Sequence, residues 1–374
     1  MPSILLLGAG RVGRAIALDL ATSHKLIVAD KSPSALQTLQ AELPSLEIVP
    51  IDLTAPESLT QVAHGAELIV MALPGSIGYR VLAHLVRLGK KIVDISFFPE
   101  DPYSLAELAR STGAIVVVDA GVAPGLSNLI LGYELSQMPI ESFVCYVGGL
   151  PVERPWPFQY KAPFSPEDVI EEYTRPVRQR IGGRLVVKPP LSEVELVEIP
   201  PLGLLEAFNT DGLRTLLRTT QVPTLIEKTL RYPGHVEYMQ VLKQTGFFSQ
   251  EPIEVEGHLI IPRQVSLALL QKSWAMRPEE ADLTVMKIHL RTEGGTTITY
   301  TLVDQADWQR RISSMARTTG YTCAAIATWL IEQASLPPGI YAPEEIAGLS
   351  GCFSYIINYL ADRRVVLKRQ ADAA

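Results

Sequence analysis

Residues 3–14 read SILLLGAGRVGR, an apolar run that breaks into Gly8-x-Gly10-x-x-Gly13. Asp30 closes the next apolar run, KLIVAD, about twenty residues beyond the glycines. A strand, a glycine turn, a helix and a second strand ending in an acid make a dinucleotide-binding fingerprint. The first two glycines let the backbone turn tightly and approach a pyrophosphate, and the third lets helix and strand pack closely. Free N–H groups at the helix start face the phosphates. The carboxylate of Asp30 can accept from the hydroxyls of an adenine ribose. Gly8, Gly10, Arg11, Val12, Gly13 and Asp30 are therefore candidate cofactor contacts, the alternative being a plain tight turn. Asp30 would repel the 2′-phosphate of NADP unless Lys31 shields it, so NAD is favoured over NADP.

The same alternation continues to about residue 120. Apolar runs fall at 4–7, 26–29, 48–50, 68–73, 92–95 and 115–118, with amphipathic stretches between them such as 34–41, 79–88 and 105–110. Continuous apolar strands separated by helices indicate a parallel sheet covered on both faces. This is a doubly wound α/β fold of the Rossmann kind, with its ligand crevice at the carboxyl ends of the strands. The residues at those ends become candidates in turn. Asp52 and Leu53 follow the third strand on the adenine side, and Ala72, Leu73 and Pro74 follow the fourth beside the nicotinamide half. Asp52 has a second reading as the cap of a helix starting near Pro56. Ser96 and Phe97 follow the fifth strand, where the reacting end of a substrate belongs. Asp119 ends the sixth, placed to orient the turn behind it more than to touch substrate.

Beyond Asp119 the texture changes. Residues 140–310 mix extended runs (143–147, 283–290, 296–302) with helical ones (167–173, 213–217, 265–272), and proline is dense between Pro151 and Pro166. This pattern predicts an inserted α+β domain over 139–311, built on a mostly antiparallel sheet, a platform for substrate and dimerisation. From Ile312 the pattern is helical again, and Ala324, Ala325 and Ala327 suit a tightly packed helix. Residues 312–374 are expected to return to the nucleotide domain and complete it with 1–138. The basic tail, RRVVLKRQ, reads as a solvated helix end.

At 374 residues the chain can bury two cores. No apolar stretch reaches the ~18–20 residues that a membrane span needs. A net charge of −7 gives no reason to expect nucleic acid. The start, MPSILLLGAG, lacks a basic region and runs straight into the first strand, so no leader is expected. Cys145, Cys323 and Cys352, odd in number and far apart, suit a reducing cytoplasm. Neither they nor the histidines show ligand spacing, so no metal site is expected.

Four later segments carry a family likeness: VVVDAGVAPGLSN (116–128), GGLPVERPWPFQYKAPFSPEDVI (148–170), EAFNTDGLRTLL (206–217) and KTLRYPGH (228–235). With the glycine turn and MARTTGY (315–321), the chain resembles the saccharopine dehydrogenase-like oxidoreductases along nearly its whole length, and within them the lysine 6-dehydrogenase type. Two departures matter. Saccharopine-forming members have an acid where this chain has Ala123 and an arginine where it has Thr210, the arginine that pairs with the carboxylate of the glutamate half. Threonine cannot replace a bidentate Arg–carboxylate bond. The Thr229-Leu230-Arg231 stretch, which resembles the part holding the amino-acid end, is retained.

The resemblance implies oxidative deamination of the ε-amino group of L-lysine, with hydride passing to NAD+ and the imine hydrolysed to ammonia and a semialdehyde that closes to a piperideine ring. Chemistry sets the remaining demands. A free amine must form before hydride leaves, so a base or water relay is needed. The α-carboxylate needs a cation and the α-ammonium an acid. Arg231 is the candidate for the carboxylate, with a snorkelling arginine over Tyr232 as the alternative. Asp211 is the candidate for the ammonium, or else the cap of the helix GLRTLL. Thr210 lies beside it as a substrate contact. Lys161 matches the lysine of the family's YKFSWSP-like motif and, desolvated, could act as base; otherwise it bonds a loop carbonyl. His235 has a suitable unperturbed pKa, though a histidine after a Pro-Gly turn is commonly a packing residue. The competing functions are a saccharopine or carboxynorspermidine type reductase acting on a related imine, and a non-catalytic redox sensor. The partners implied are a small amino-acid substrate and, from the family's second domain, further copies of the chain as a homodimer or higher homo-oligomer.

Overall fold

The computed structural model describes residues 3–162, 165–277, 279–333 and 335–372, so Pro163 and Phe164 of the QYKAPF segment lie outside the described residues. The chain divides into two compact units, Met1–Gln137 with Ala316–Val365, and Met138–Met315 with Val366–Ala374.

In the first unit the apolar runs are strands: β1 (Ser3–Leu7), β2 (Lys25–Asp30), β3 (Glu47–Pro50), β4 (Leu68–Met71), β5 (Lys91–Asp94) and β6 (Ile115–Val117). They pair in parallel in the order β6-β5-β4-β1-β2-β3, and the short strand Gly339–Tyr341 adds outside β6 to make seven among the described residues. Ile4 to Leu7 and Leu68 to Met71 are all 0% exposed, which is why the central strands are unbroken apolar runs and not alternating ones. The winding direction reverses at β1 and β4, and this switch point puts a crevice at the carboxyl ends of those strands. The helix Arg11–Leu20 buries Ala15, Ile16, Ala17 and Leu20 on one stripe. Gly320 fits close against it, since a Cβ there would lie 3.3 Å from the Ala15 side chain. Ala324, Ala325 and Ala327 are 0% exposed.

The second unit carries a nine-stranded sheet among the described residues. Its centre is the long strand β7 (Ile140–Pro151), paired antiparallel with Asp282–Thr292, which pairs with Thr297–Gln305. The short strands β8 (Val177–Ile181) and β9 (Arg184–Lys188) form a hairpin that meets the sheet at Leu225. On the other side of β7 lie β10 (Glu195–Ile199), β11 (Gly203–Asn209) and β12 (Thr224–Arg231), and Leu367–Asp372 is the ninth strand; among the sheet's described residues only the β12–β7 pair is parallel. The helices Pro166–Thr174, His235–Gln244 and Pro262–Trp274 bury Tyr173, Val236, Met239, Leu270 and Trp274 in one cluster with Phe208 of β11.

The tail departs from expectation. Leu367–Asp372 is not a helix end but an edge strand, antiparallel to Thr297–Gln305, so residues 366–374 group with the second unit and not the first. Its exposed Lys368, Arg369 and Gln370 are the kind of side chains that keep an edge strand from pairing further. Among the described residues no helix is long and apolar enough to cross a membrane.

Candidate functional site

In the first unit the glycine turn is built against the switch point. Gly8 has φ 104°, and a Cβ on it would lie 2.3 Å from the Ala72 carbonyl oxygen; a Cβ on Gly13 would lie 2.0 Å from the Gly8 oxygen. Both glycines are demanded by close backbone approach. Gly10 differs: nothing lies within 4 Å of where its Cβ would be, and it is exposed. It precedes the helix Arg11–Leu20, whose N-cap makes no side-chain cap hydrogen bond, so the helix start lies beside an open backbone at Gly10. That arrangement fits a phosphate. Asp30 is held beside it: one carboxylate oxygen accepts from Ala9 N at 2.7 Å and the other from Ser32 N at 2.7 Å. Arg11 and Lys31 are exposed and Val12 is half-buried around the same turn.

The strand-end candidates sort differently. Ala72 is half-buried against Gly8, and Pro74 is exposed. The side chains of Leu53 and Leu73 face the core with Leu5, Leu7 and Ile69, so what these two strand-end residues can offer a cofactor is backbone. Asp52 is fully exposed and accepts from the backbone and the hydroxyl of Thr54 at 2.9 and 2.8 Å, bonds that hold its carboxyl below the usual range. It does not cap the next helix, whose N-cap is Ala55. Ser96 is buried with its N donating to Asp94 Oδ1 at 2.8 Å, while among the described residues its hydroxyl has no hydrogen-bond partner. The carbonyl of half-buried Phe97 packs on Gly75. Asp119 is buried at φ 53°, a left-handed conformation costly for a non-glycine residue and typical of functional turns.

In the second unit the candidates are already engaged. Arg231, at the end of β12 and 1% exposed, donates from one terminal nitrogen to Glu172 Oε2 at 2.7 Å and from the other to the Leu230 carbonyl at 2.9 Å. Its guanidinium also lies 4.5 Å from the centre of the Tyr160 ring. The proposed grip on a substrate carboxylate is thus replaced by an internal ion pair. His235 is 0% exposed in an aromatic box, 5.1 Å from Tyr160 and 5.7 Å from Tyr173. Its Nδ1 faces the Phe158 carbonyl at 2.9 Å, which can only accept, so Nδ1 carries the proton and Nε2 accepts from the Tyr173 hydroxyl at 2.9 Å. Burial, then the nearby Arg231 charge, lowers its pKa to about 3. A ring so held is neutral and has no free nitrogen, which removes His235 as base.

Lys161 donates to the Ala275 carbonyl at 3.1 Å and lies 3.7 Å from Glu280, so it ties two loops together. Asp211 is bound bidentately by Arg178, at 3.0 and 2.8 Å, and also accepts from Arg178 N. It neither caps Leu216–Thr219, whose N-cap is Thr215, nor offers a free carboxylate to an ammonium. Thr210 is buried between Thr229, 2.9 Å away, and Glu227, 3.4 Å away. Thus Arg231 and His235 are brought together, Thr210 and Asp211 adjoin Glu227, and Lys161 stands apart. Glu172 and Glu227 are the acids beside these candidates that sequence reasoning did not single out. An acid in the strand stretch TLIEKTL, directly after Leu225 and Ile226, was the available signal for Glu227.

The comparisons with known proteins now bear on this geometry. The model described as "Saccharopine dehydrogenase NADP binding domain" matches residues 4–117, and "Saccharopine dehydrogenase C-terminal domain" matches residues 121–365. This chain belongs to the saccharopine dehydrogenase family. A Schizosaccharomyces pombe saccharopine dehydrogenase (NADP(+), L-glutamate-forming) is 25% identical over 301 residues, covering 76% of this chain and 66% of that protein. An Arabidopsis thaliana alpha-aminoadipic semialdehyde synthase is 25% identical over 291 residues, covering 67% of this chain and 27% of that protein. The chain thus spans less than two thirds of the length of these curated relatives. Among solved structures, apo saccharopine dehydrogenase (L-Glu forming) from Saccharomyces cerevisiae matches with a TM-score of 0.81 at 20% identity over 100% of both chains. Homospermidine synthase from Legionella pneumophila, solved with NAD, matches with a TM-score of 0.69 at 14% identity, over 100% of this chain and 91% of that one. At these identities the structural likeness speaks for the fold alone.

Proposed function

We propose that this chain is an NAD(P)-dependent oxidoreductase acting on a carbon–nitrogen bond of an amino acid. The observation that carries the reading is the family match over both units, from 4–117 and 121–365. The open Gly10 backbone and the uncapped helix start fit a dinucleotide phosphate, with Asp30 beside them for the ribose. When bound, the nicotinamide supplies or accepts the hydride. The family model and the Schizosaccharomyces pombe relative carry NADP in their names, whereas the Asp30 carboxylate favours a free 2′-hydroxyl. We take NAD as the preferred partner of this chain. Replacing Asp30 with alanine should relax the choice between the two; unaltered affinities for both would reject it.

For the substrate we infer L-lysine, deaminated at its ε-amino group as in the lysine 6-dehydrogenase type. Thr210 stands beside an acid, Glu227, and the nearby arginines, Arg178 and Arg231, are committed to Asp211 and Glu172. A second substrate carboxylate gains no counter-ion from these groups. The names of the relatives favour a second reading, oxidation of saccharopine. Product analysis separates them: lysine with NAD+ should yield reduced cofactor and ammonia, while saccharopine turnover yields L-glutamate without ammonia. Turnover of saccharopine alone would overturn the lysine reading. Assembly as a cytoplasmic homodimer or higher homo-oligomer belongs to the same reading and is checked by light scattering.

A further inference from the structure

We propose that the acidic hairpin over 251–260 docks on the outer edge of β9 in a second copy of this chain, and that the contact is made twice, reciprocally, across a two-fold axis. The proposal rests on the homo-oligomer reading above, names the surfaces that meet, and is independent of the substrate.

The hairpin stands apart from both sheets. β13 (Ile253–Val255) and β14 (His258–Ile260) pair with each other and, among the described residues, with no other strand. A two-residue turn joins them, in which Glu256 and Gly257 have φ 49° and 80°, the left-handed pair that a tight hairpin requires. Every residue from 251 to 259 is exposed, and Leu259 is 78% exposed. A two-stranded hairpin with no layer over it is marginal in water. This one carries Ile253, Val255 and Leu259 into solvent. β9 is its counterpart. Among the described residues it pairs with β8 alone, so its other edge presents a row of N–H and C=O groups to which a strand can add. Leu185 and Val187 stand exposed along it.

Charge selects the occupant. The hairpin segment EPIEVEGHLI carries Glu251, Glu254 and Glu256 and neither lysine nor arginine, while RLVVK of β9 carries Arg184 and Lys188 and no acid. Hairpin on hairpin would bring carboxylates together. Two antiparallel β9 strands centred on Val186 would set Arg184 opposite Lys188. Like charges directly opposite destabilise a strand pair, so both self-pairings are disfavoured. Hairpin on β9 joins opposite signs. With β13 antiparallel to β9, Ile253 falls opposite Val187 and Val255 opposite Leu185, and the four apolar side chains share one face. The same register sets Glu256 opposite Arg184 and Glu254 diagonal to both Arg184 and Lys188. Lys188 is held by Glu193 within the chain, whereas Arg184, Glu254 and Glu256 are exposed. Each copy gives a hairpin and receives one, so the exchange closes on itself as a dimer.

The test is light scattering of the intact 41.0 kDa chain over a dilution series. Arg184→Glu, and separately Glu254→Lys with Glu256→Lys, should each raise the dimer Kd by about tenfold or more, because like charges then face each other at both contacts. All three positions are exposed, so each variant should keep the wild-type circular dichroism. Mixed in equal amounts, the two weakened variants should pair within about threefold of the wild-type Kd, since in the mixed dimer both contacts again join opposite signs. A wild-type dimer whose Kd neither reversal moves, or a mixture no tighter than its components, overturns the assignment and leaves the homo-oligomer reading intact. A wild-type chain that scatters as 41.0 kDa at every concentration overturns both, and leaves the oxidoreductase reading untouched.

Discussion

Replacing Glu172 with glutamine should destabilise the second unit without any ligand present. The Arg231 guanidinium is 2% exposed by side chain, so once the carboxylate is gone its charge has no route to water. Leaving one partner of a buried ion pair costs about 3–5 kcal/mol. Glu172 keeps 22% of its side-chain surface, so part of its pairing competes with hydration and the effect belongs near the lower end, about 3 kcal/mol. For a domain of this size each kcal/mol moves Tm by about 2–4 °C, giving a drop of about 6–12 °C. Differential scanning calorimetry of the intact chain reads it directly. Removing both charges together, as Glu172→Leu with Arg231→Met, should recover most of the loss, because apolar replacement of a buried pair is often neutral. A Glu172→Gln variant within about 0.5 kcal/mol of the wild type would show that Arg231 does not depend on this acid, and would reopen it as a ligand for substrate carboxylate.

Three further outcomes follow from the same geometry. Gly10→Val should leave Tm nearly unchanged yet weaken dinucleotide binding at least tenfold, whereas Gly13→Ala should cost about 1–3 kcal/mol of stability, because only the second meets backbone; calorimetry and nucleotide titration separate them. His235, lowered from 6.5 to about 3, binds its proton more weakly folded than unfolded, so stability present above pH 6.5 is lost as pH falls toward 3, by up to about 4–5 kcal/mol. A His235→Gln variant should show a flatter acid limb in denaturant titrations. Glu227, raised from 4.5 to about 8, has the opposite sign: its folded form holds a proton that the unfolded chain has released, so stability falls as pH rises from about 4.5 to 8. Glu227→Gln should therefore raise Tm at pH 8 relative to the wild type and match it near pH 4.5.

The sequence disclosed the first unit because its physics is local. Strands buried on both faces must be apolar throughout, and Gly13 is forced by a contact within one strand–turn–helix, its Cβ position lying on the Gly8 oxygen. The strand Gly339–Tyr341 escaped because three residues carry no period. In the second unit β8 buries Val177 and the polar Gln179 between arginines, so its inward face does not read as apolar, and in β9 Leu185 and Val187 are 63% and 64% exposed, so no buried face marks it. The tail strand was hidden the same way by its charges. Site residues were visible as residues but not in their roles. Arg231 stands out in TLRYPGH, yet the acid that occupies it lies 59 positions away, a distance no spacing rule can read. His235 has a useful pKa as a free side chain, and only the surrounding aromatic rings take it away.

The most direct trial of the account uses L-lysine carrying deuterium at C6. With NAD+ and this protein, the label should appear on the reduced nicotinamide in step with ammonia release. Deuterium that stays on the amino acid while the dinucleotide binds but remains oxidised would contradict hydride transfer from the ε-carbon and leave this chain a binder of nucleotide alone.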